Sequence, residues 1–445
     1  MSRRGIAEGE GAGAGRGAVA LIRPYNRLMT PASRRTRSLL LLAAAALAVA
    51  VAVLVAFGAL LPAFTQDKAE TRPAARTVTA ADVDAAMTHA TQALGAHDLA
   101  AWKAALPAEG GDARRAVDAL YRHLVRLPWT SVRLVAEPVR GHSGRFYVGA
   151  VGELGGADPA DRIMARRVFD VSLRGGGPVL LHDVTPRDVR GQGVMAFQRP
   201  VAVRRNGLIV IADKSEQSGA EALAGAGGPA RERLSLLGIA SRKPIVVYYY
   251  SSRAELVRSL GTDPDEPRIR FFSHPPAHLG DAPSWTRDIG VLAPALAGKE
   301  SWTPQMLAHE LTHAYTTRWF EGTRHAPTLL AEGLATAVEG GRTFLPLRDD
   351  LAADRSAFPL EKALRAKSLW KGNRIDKVRL AYLEGASLVL YVMDRWDLHG
   401  LRSFVRAVSD SDLTAQGLDQ ASRRSVGVGW DKLRAGWTAF VQTLP

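Results

Sequence analysis

A chain of 445 residues is long enough for two or three domains, each with an apolar core of its own. Its hydrophobic share of 47% and charged share of 23% are typical of a globular protein and exclude a largely disordered chain. Because it has no cysteine, the chain cannot form disulfides, bind zinc through thiolates or use a cysteine nucleophile.

The N-terminal segment carries the clearest targeting signal. Residues 1–37 hold eight arginines and two glutamates without apolar periodicity, which predicts a disordered basic tail. Residues 38–61 form an uncharged run of 24 residues, long enough to cross a bilayer as a helix. The basic flank comes first, so the positive-inside rule predicts a cytoplasmic tail and an extracytoplasmic remainder at the cell membrane. A cleaved signal peptide is the alternative, but the run is long for one and no Ala-x-Ala site follows.

The net charge of +14 does not indicate a nucleic-acid partner. The tail accounts for six of these charges, and the remaining basic residues are scattered, without a block interleaved by aromatic residues. We therefore predict a protein that contacts the membrane through its N-terminal helix and binds no nucleic acid.

A small α+β domain is predicted at residues 81–198, after a linker at 62–80 that shows no periodic pattern. Apolar residues at helical spacing predict two helices, and period-two alternation then predicts four strands, at 131–140, 145–154, 166–173 and 179–185. Helices followed by an antiparallel meander resemble cystatin-like and nuclear-transport-factor-like cone folds. The order favours a spacer or protein-contact module.

The C-terminal domain, residues 200–445, begins with predicted strands and continues with helices. The predicted strands are 206–213, 243–250, 268–272 and 288–293, with helices at 220–237 and 252–260 between them. The later predicted helices are 304–320, 327–339, 358–369, 376–396, 401–409 and 430–443. The fold class predicted for the whole chain is therefore α+β.

The segment His309-Glu310-Leu-Thr-His313 carries the chemistry of the chain. Residues four apart share one face of a helix, so both imidazoles can bind one metal ion. Glu310 lies about 100° further round the helix, where a general base for a water molecule would stand. Thr303 is predicted as the N-cap of this helix, and Glu332, on the next predicted helix, as the third ligand. Zinc suits two nitrogens and a carboxylate and keeps a fourth position open.

These motifs resemble a known family of peptidases. The segment His309-Glu-Leu-Thr-His313-Ala, followed by Pro327 and by Leu330-Ala-Glu332-Gly-Leu-Ala, looks like the gluzincin clan of zinc metallopeptidases. It is closest to the peptidase MA-like domains, and the resemblance covers about residues 200–445. The Gly-x-Met-x-Asn segment that the aminopeptidases of the clan use near the substrate's free amine is missing, so exopeptidase action has no support.

The resemblance implies roles for five residues. His309, His313 and Glu332 would bind zinc, and Glu310 would act as general base. A tyrosine from a later helix often stabilises the oxyanion in this clan, and Tyr382 is the candidate here. A half-buried tyrosine without a catalytic role is an equal alternative at that position.

Two further predictions concern the surroundings of the site. The clan binds extended substrate along an edge strand before the zinc helix, and Ile289–Leu292 is the candidate, with Gly290 allowing close approach or marking a bulge. Glu339 lies seven residues after Glu332 on the same helical face. A contact with a metal ligand is one interpretation, and a solvated glutamate at the helix end is the one that we favour.

The sequence thus predicts a membrane-anchored, extracytoplasmic zinc metallopeptidase that hydrolyses peptide bonds in a peptide or protein substrate. The alternative is a catalytically weak, gluzincin-fold binding or scaffolding protein of the cell envelope. Hydrolysis of a bond other than a peptide bond also stays open. The intact ligand set with Glu310 favours the peptidase, because a binding protein has no chemical need for that glutamate.

Overall fold

A computed structural model describes residues 77–157, 162–185, 193–236, 238–239, 243–260, 271–274, 288–296, 300–340, 344–352, 360–366, 369 and 375–444. The chain divides after Ala75, and all described residues belong to the second unit, Arg76–Pro445. Within the ranges given above, no helix is both long enough and apolar enough to cross a membrane. The predicted tail and transmembrane segment lie outside the described residues and remain predictions.

The first half of the described chain is three helices followed by a four-stranded sheet. The helices are α1 (Ala80–Gly95), α2 (Leu99–Ala105) and α3 (Gly111–Leu124), and the strands are β1 (Trp129–Pro138), β2 (Arg145–Leu154), β3 (Arg162–Arg174) and β4 (Gly177–Asp183). The strands pair in chain order and every pair is antiparallel, so the predicted meander is confirmed. Helix α1 packs against β1 and α3 packs against β4.

A second sheet of five strands follows, and its order corrects one prediction. Its strands are β5 (Pro200–Arg205), β6 (Leu208–Asp213), β7 (Ile245–Tyr250), β8 (Phe271–His274) and β9 (Asp288–Leu292), in the spatial order β5-β6-β7-β9-β8. Helices α4 (Gln217–Leu236) and α5 (Arg253–Leu260) connect them. Strand β9 runs parallel to β7 on one side and antiparallel to β8 on the other. The prediction that Ile289–Leu292 forms an edge strand is therefore wrong, and β8 takes the edge.

Gly290 has a packing role within that pair of strands. A Cβ atom at this position would lie 2.0 Å from the ring of Phe272, which is its partner across the two strands. The glycine therefore makes room for an aromatic ring of the same sheet, which replaces its predicted role beside a substrate.

The second sheet is buried on both faces. Along β6, Ile209 and Ile211 join the apolar core of the first half of the chain, while Leu208 and Val210 join a second core beneath the helices that follow. Side chains alternate along a strand, so each face of β6 contributes to a different core. The boundary that we predict near residues 198–200 thus lies between two parts that share an apolar core.

The last part of the described chain is helical. Its helices are α6 (Thr303–Thr316), α7 (Thr328–Glu339), α8 (Leu345–Ala352), α9 (Leu360–Arg365), α10 (Ile375–Asp410), α11 (Ala415–Val426) and α12 (Trp430–Val441). Helix α10 is kinked, because Trp396 and Asp397 have non-helical backbone angles. The Asp397 carboxylate accepts hydrogen bonds from the backbone N–H groups of His399 and Gly400 and so caps the second half.

Helices α7 and α10 touch backbone to backbone. A Cβ atom on Gly333 would lie 2.4 Å from the carbonyl carbon of Gly385, and one on Gly385 would lie 2.4 Å from the carbonyl oxygen of Leu329. Any side chain at either position would force the helices apart. This crossing brings α10 beside the turn of α7 that carries Glu332.

Candidate metal centre

Helix α6 presents two of the predicted ligands because its other side is apolar. Leu307, Ala308 and Leu311 are fully buried in the core beneath the second sheet. His309 and His313 lie on the remaining side, four residues apart on one face of the helix. The predicted start of the helix was wrong by one residue. Trp302 occupies the N-cap position without a side-chain hydrogen bond, and Thr303 is the first helical residue.

Helix α7 brings the third predicted ligand to the same place. One carboxylate oxygen of Glu332, Oε2, lies 3.3 Å from Nε2 of His309 and 3.5 Å from Nε2 of His313. The three side chains are 13%, 12% and 20% exposed in the order His309, His313, Glu332. Each offers one ligand atom, and these atoms all lie within 4.8 Å of one another.

Two of the three separations between the ligand atoms are those expected around a tetrahedral ion. With ligand bonds of about 2.0–2.1 Å, two ligand atoms at corners of a tetrahedron stand roughly 3.4 Å apart. The separations of 3.3 and 3.5 Å from Glu332 to the two imidazoles match that geometry. Two imidazoles and one carboxylate also form a donor set that zinc takes in catalytic sites. The three residues could therefore hold a metal ion, and their chemistry suits zinc.

Glu339 belongs to this centre, although the sequence favoured a solvated position. It is buried, and its Oε2 lies 3.1 Å from Nδ1 of His309, on the far side of the ring from Glu332. Arg233 of α4 donates a hydrogen bond of 2.8 Å from Nη1 to the backbone oxygen of Glu339. The spacing of seven residues from Glu332 to Glu339 was the signal in the sequence that pointed to a contact with a ligand. The interpretation of Glu339 as a solvated glutamate was wrong.

The charges around His309 favour a cation at this position. Burial by itself would lower the pKa of His309, but its hydrogen bonds to Glu332 and Glu339 outweigh burial and raise the pKa to about 10. Burial would also raise the pKa of Glu332. The charge of His313 and hydrogen bonds from both histidines instead hold the pKa of that carboxyl well below its usual range. The carboxylates thus stabilise positive charge here, which a divalent metal ion also supplies.

Two predicted catalytic residues also lie close to His309. Glu310 is buried, and its negative charge is near enough to help raise the pKa of His309. The Tyr382 ring stacks on the His309 ring, with centroids 6.3 Å apart and an angle of 19° between the planes. Tyr382 lies one turn before Gly385 on α10. The close contact of Gly385 with Gly333 therefore places Tyr382 beside the residues of α7.

A comparison with known proteins found no relative of this chain. No family model matches the chain, and neither a curated protein nor a solved structure matches it. Any functional conclusion therefore rests on the geometry of the site and on the motif.

Proposed function

We propose that this chain is a zinc-dependent peptidase whose active site is built on His309, His313 and Glu332. The supporting observation is that these side chains bring their ligand atoms within 4.8 Å of one another while Glu310 is buried next to His309. When bound, zinc would supply Lewis-acid activation of water and of a peptide carbonyl. His309 and His313 would bind it through Nε2, and Glu332 through Oε2.

Glu310 is the proposed general base. A carboxylate can take a proton from the attacking water and return it to the leaving amine. It neighbours a ligand along the helix without sharing the ligand face, so its carboxylate would stand beside the metal and not on it. Glu339 has the separate task of holding His309. It accepts a hydrogen bond from Nδ1–H and so leaves Nε2 for the metal.

Tyr382 is the proposed oxyanion donor. A phenol hydroxyl near the ligands can donate a hydrogen bond to the oxygen that becomes negative during attack on the carbonyl. Its ring already lies against that of His309. A Tyr382→Phe variant would keep this stacking and lose only the donor.

The proposed substrate is an extended stretch of polypeptide that pairs with β8. This strand is the outer member of the second sheet among the described strands, and it packs against α6, which carries both histidines. The backbone groups of an edge strand can pair with an added strand and fix its register. With the predicted N-terminal anchor, the protein would act on polypeptides outside the cytoplasm.

The test is cleavage of an unstructured polypeptide by the full-length chain in detergent, with products identified by mass spectrometry. We expect zinc-dependent cleavage that a chelator abolishes, and a fall of roughly 10²–10⁴-fold for Glu310→Gln, which loses proton transfer but keeps the ligands. His399→Gln, at an exposed histidine outside the site, is the matched control.

Two outcomes would contradict the proposal. Cleavage by Glu310→Gln at the wild-type rate would show that Glu310 is not the general base. A zinc-loaded wild type that binds polypeptide without cutting it would instead favour the binding or scaffolding alternative.

A further inference from the structure

The two histidines lie on the less deeply buried side of α6. Leu307, Ala308 and Leu311 on the other side are fully buried, whereas the side chains of His309 and His313 are 13% and 12% exposed. A polypeptide that reaches the ligands along α6 would pass over the residues that continue the stripe of His309 and His313.

Trp302 continues this stripe towards the start of the helix. Its backbone angles are helical, with φ of −95° and ψ of −12°. It precedes His309 by seven residues, which is about two helical turns, so the two residues share a face to within roughly 20°. The rise between them is about 10 Å at 1.5 Å per residue.

The Trp302 side chain is exposed to an unusual degree. It is 64% exposed, and in the described part of the chain only one other large apolar side chain, Leu99 at 40%, is classed as exposed. Covering an aromatic side chain of this size with an apolar group of a ligand is energetically favourable. Leu99 lies on α2, in the other half of the chain, and serves as a comparison.

The backbone beneath the ring is held in place. Pro304 fixes one backbone angle in the first turn of α6. With its amide nitrogen turned towards the helix start, Gln305 donates to the carbonyl oxygens of Ser301, at 3.0 Å, and Trp302, at 3.2 Å. A rigid backbone with an exposed indole can bind an apolar group with little loss of conformational entropy.

We propose that Trp302 is a specificity-determining residue of the proposed peptidase and binds a bulky apolar or aromatic side chain of the substrate. This inference rests on the proposed function. An extended chain advances about 3.3–3.4 Å per residue, so for a substrate that runs along α6 a distance of about 10 Å corresponds to a side chain about three residues from the cleaved bond. The indole contributes neither to the ligand set nor to proton transfer, so it acts on the choice of substrate.

The test compares peptides that differ at one position. The test uses four full-length proteins loaded with zinc: wild type, Trp302→Ala, Trp302→Phe and the control Leu99→Ala. Each is given an intact peptide that the wild type is known to cleave. The residue three positions from the cut, on either side, is Phe, Leu or Gly. For Trp302→Ala we expect kcat/KM to fall roughly ten-fold on the Phe and Leu peptides and to stay unchanged on the Gly peptide. Most of the loss should lie in KM, and Trp302→Phe should retain most of the preference.

Three outcomes would overturn the inference. If Trp302→Ala cleaves all peptides with the wild-type preference, Trp302 does not select substrate, and the proposed function still stands. If Trp302→Ala loses only its binding to anionic lipid vesicles, the exposed ring is a membrane contact instead. If wild type cleaves no peptide at all, the proposed function and this inference fall together.

Discussion

The first sheet and the candidate metal centre depend on contacts of very different range along the chain. In the first sheet each of the strands β1 to β4 pairs with the strand before or after it in the chain. The candidate metal centre joins the helices α4, α6 and α7, and its contact between Arg233 and Glu339 spans 106 residues. We therefore expect a substitution in the first sheet to act locally, whereas a substitution in the helices that carry the candidate metal centre should also displace His309, His313 or Glu332.

The close contact between Gly333 of α7 and Gly385 of α10 should be the position most sensitive to substitution. In Gly333→Ala the new methyl group would meet the backbone of Gly385 at 2.4 Å, so α7 and α10 must separate. We expect a loss of about 3 kcal/mol in the free energy of unfolding, measured by denaturant titration, because backbone cannot yield as a side chain can. Zinc binding should weaken as well, since Glu332 precedes this glycine.

Gly95→Ala is the matched control in the first half. Gly95 is the last residue of α1, and a Cβ atom there meets nothing within 4 Å. It should leave stability unchanged or raise it by roughly 0.5 kcal/mol. Equal stability of the two variants would refute the close helix contact.

Removing the hydrogen bond to His309 should weaken metal binding without unfolding the chain. Glu339→Gln keeps the size of the side chain but loses the charge that orients the imidazole. We expect zinc affinity to fall by about 10–100-fold in a competition titration against a chelator. The exposed Glu321→Gln should bind zinc as wild type does. Unchanged affinity in Glu339→Gln would mean that this contact has no influence on the metal.

A change in the first half should remain local. Thr91 on α1 accepts a hydrogen bond of 2.7 Å at its hydroxyl oxygen from the backbone N–H of Leu134 on β1. Thr91→Val should cost about 1 kcal/mol in the free energy of unfolding, because that N–H loses its partner. Zinc affinity should be unaffected. A fall in zinc affinity as large as that of Glu339→Gln would contradict the separation of the two regions.

The sequence predicted the parts of the fold that local patterns determine. Period-two alternation predicted the four strands of the first sheet and their antiparallel order. The histidine spacing and Glu332 predicted three side chains that the fold brings together. Both succeeded because neighbours in sequence or one helical face set the geometry.

The parts that the sequence did not predict depend on which distant elements meet. Strand β9 was expected at an edge, but β8 adds on its outer side, and hydropathy patterns carry no information on strand order. Glu339 was expected in solvent because a charged residue at a helix end usually is solvated. Its burial follows from His309 facing it across two packed helices.

The zinc stoichiometry of the full-length chain tests directly whether His309, His313 and Glu332 bind a metal ion. Wild type and Glu332→Gln, both purified in detergent and offered zinc, are compared by metal analysis after removal of free ion, with circular dichroism to verify folding. We expect about one zinc per wild-type chain and a large loss in the variant, since a proposed ligand has been removed. A folded wild type that retains no zinc, or a variant that retains as much as wild type, would contradict this expectation.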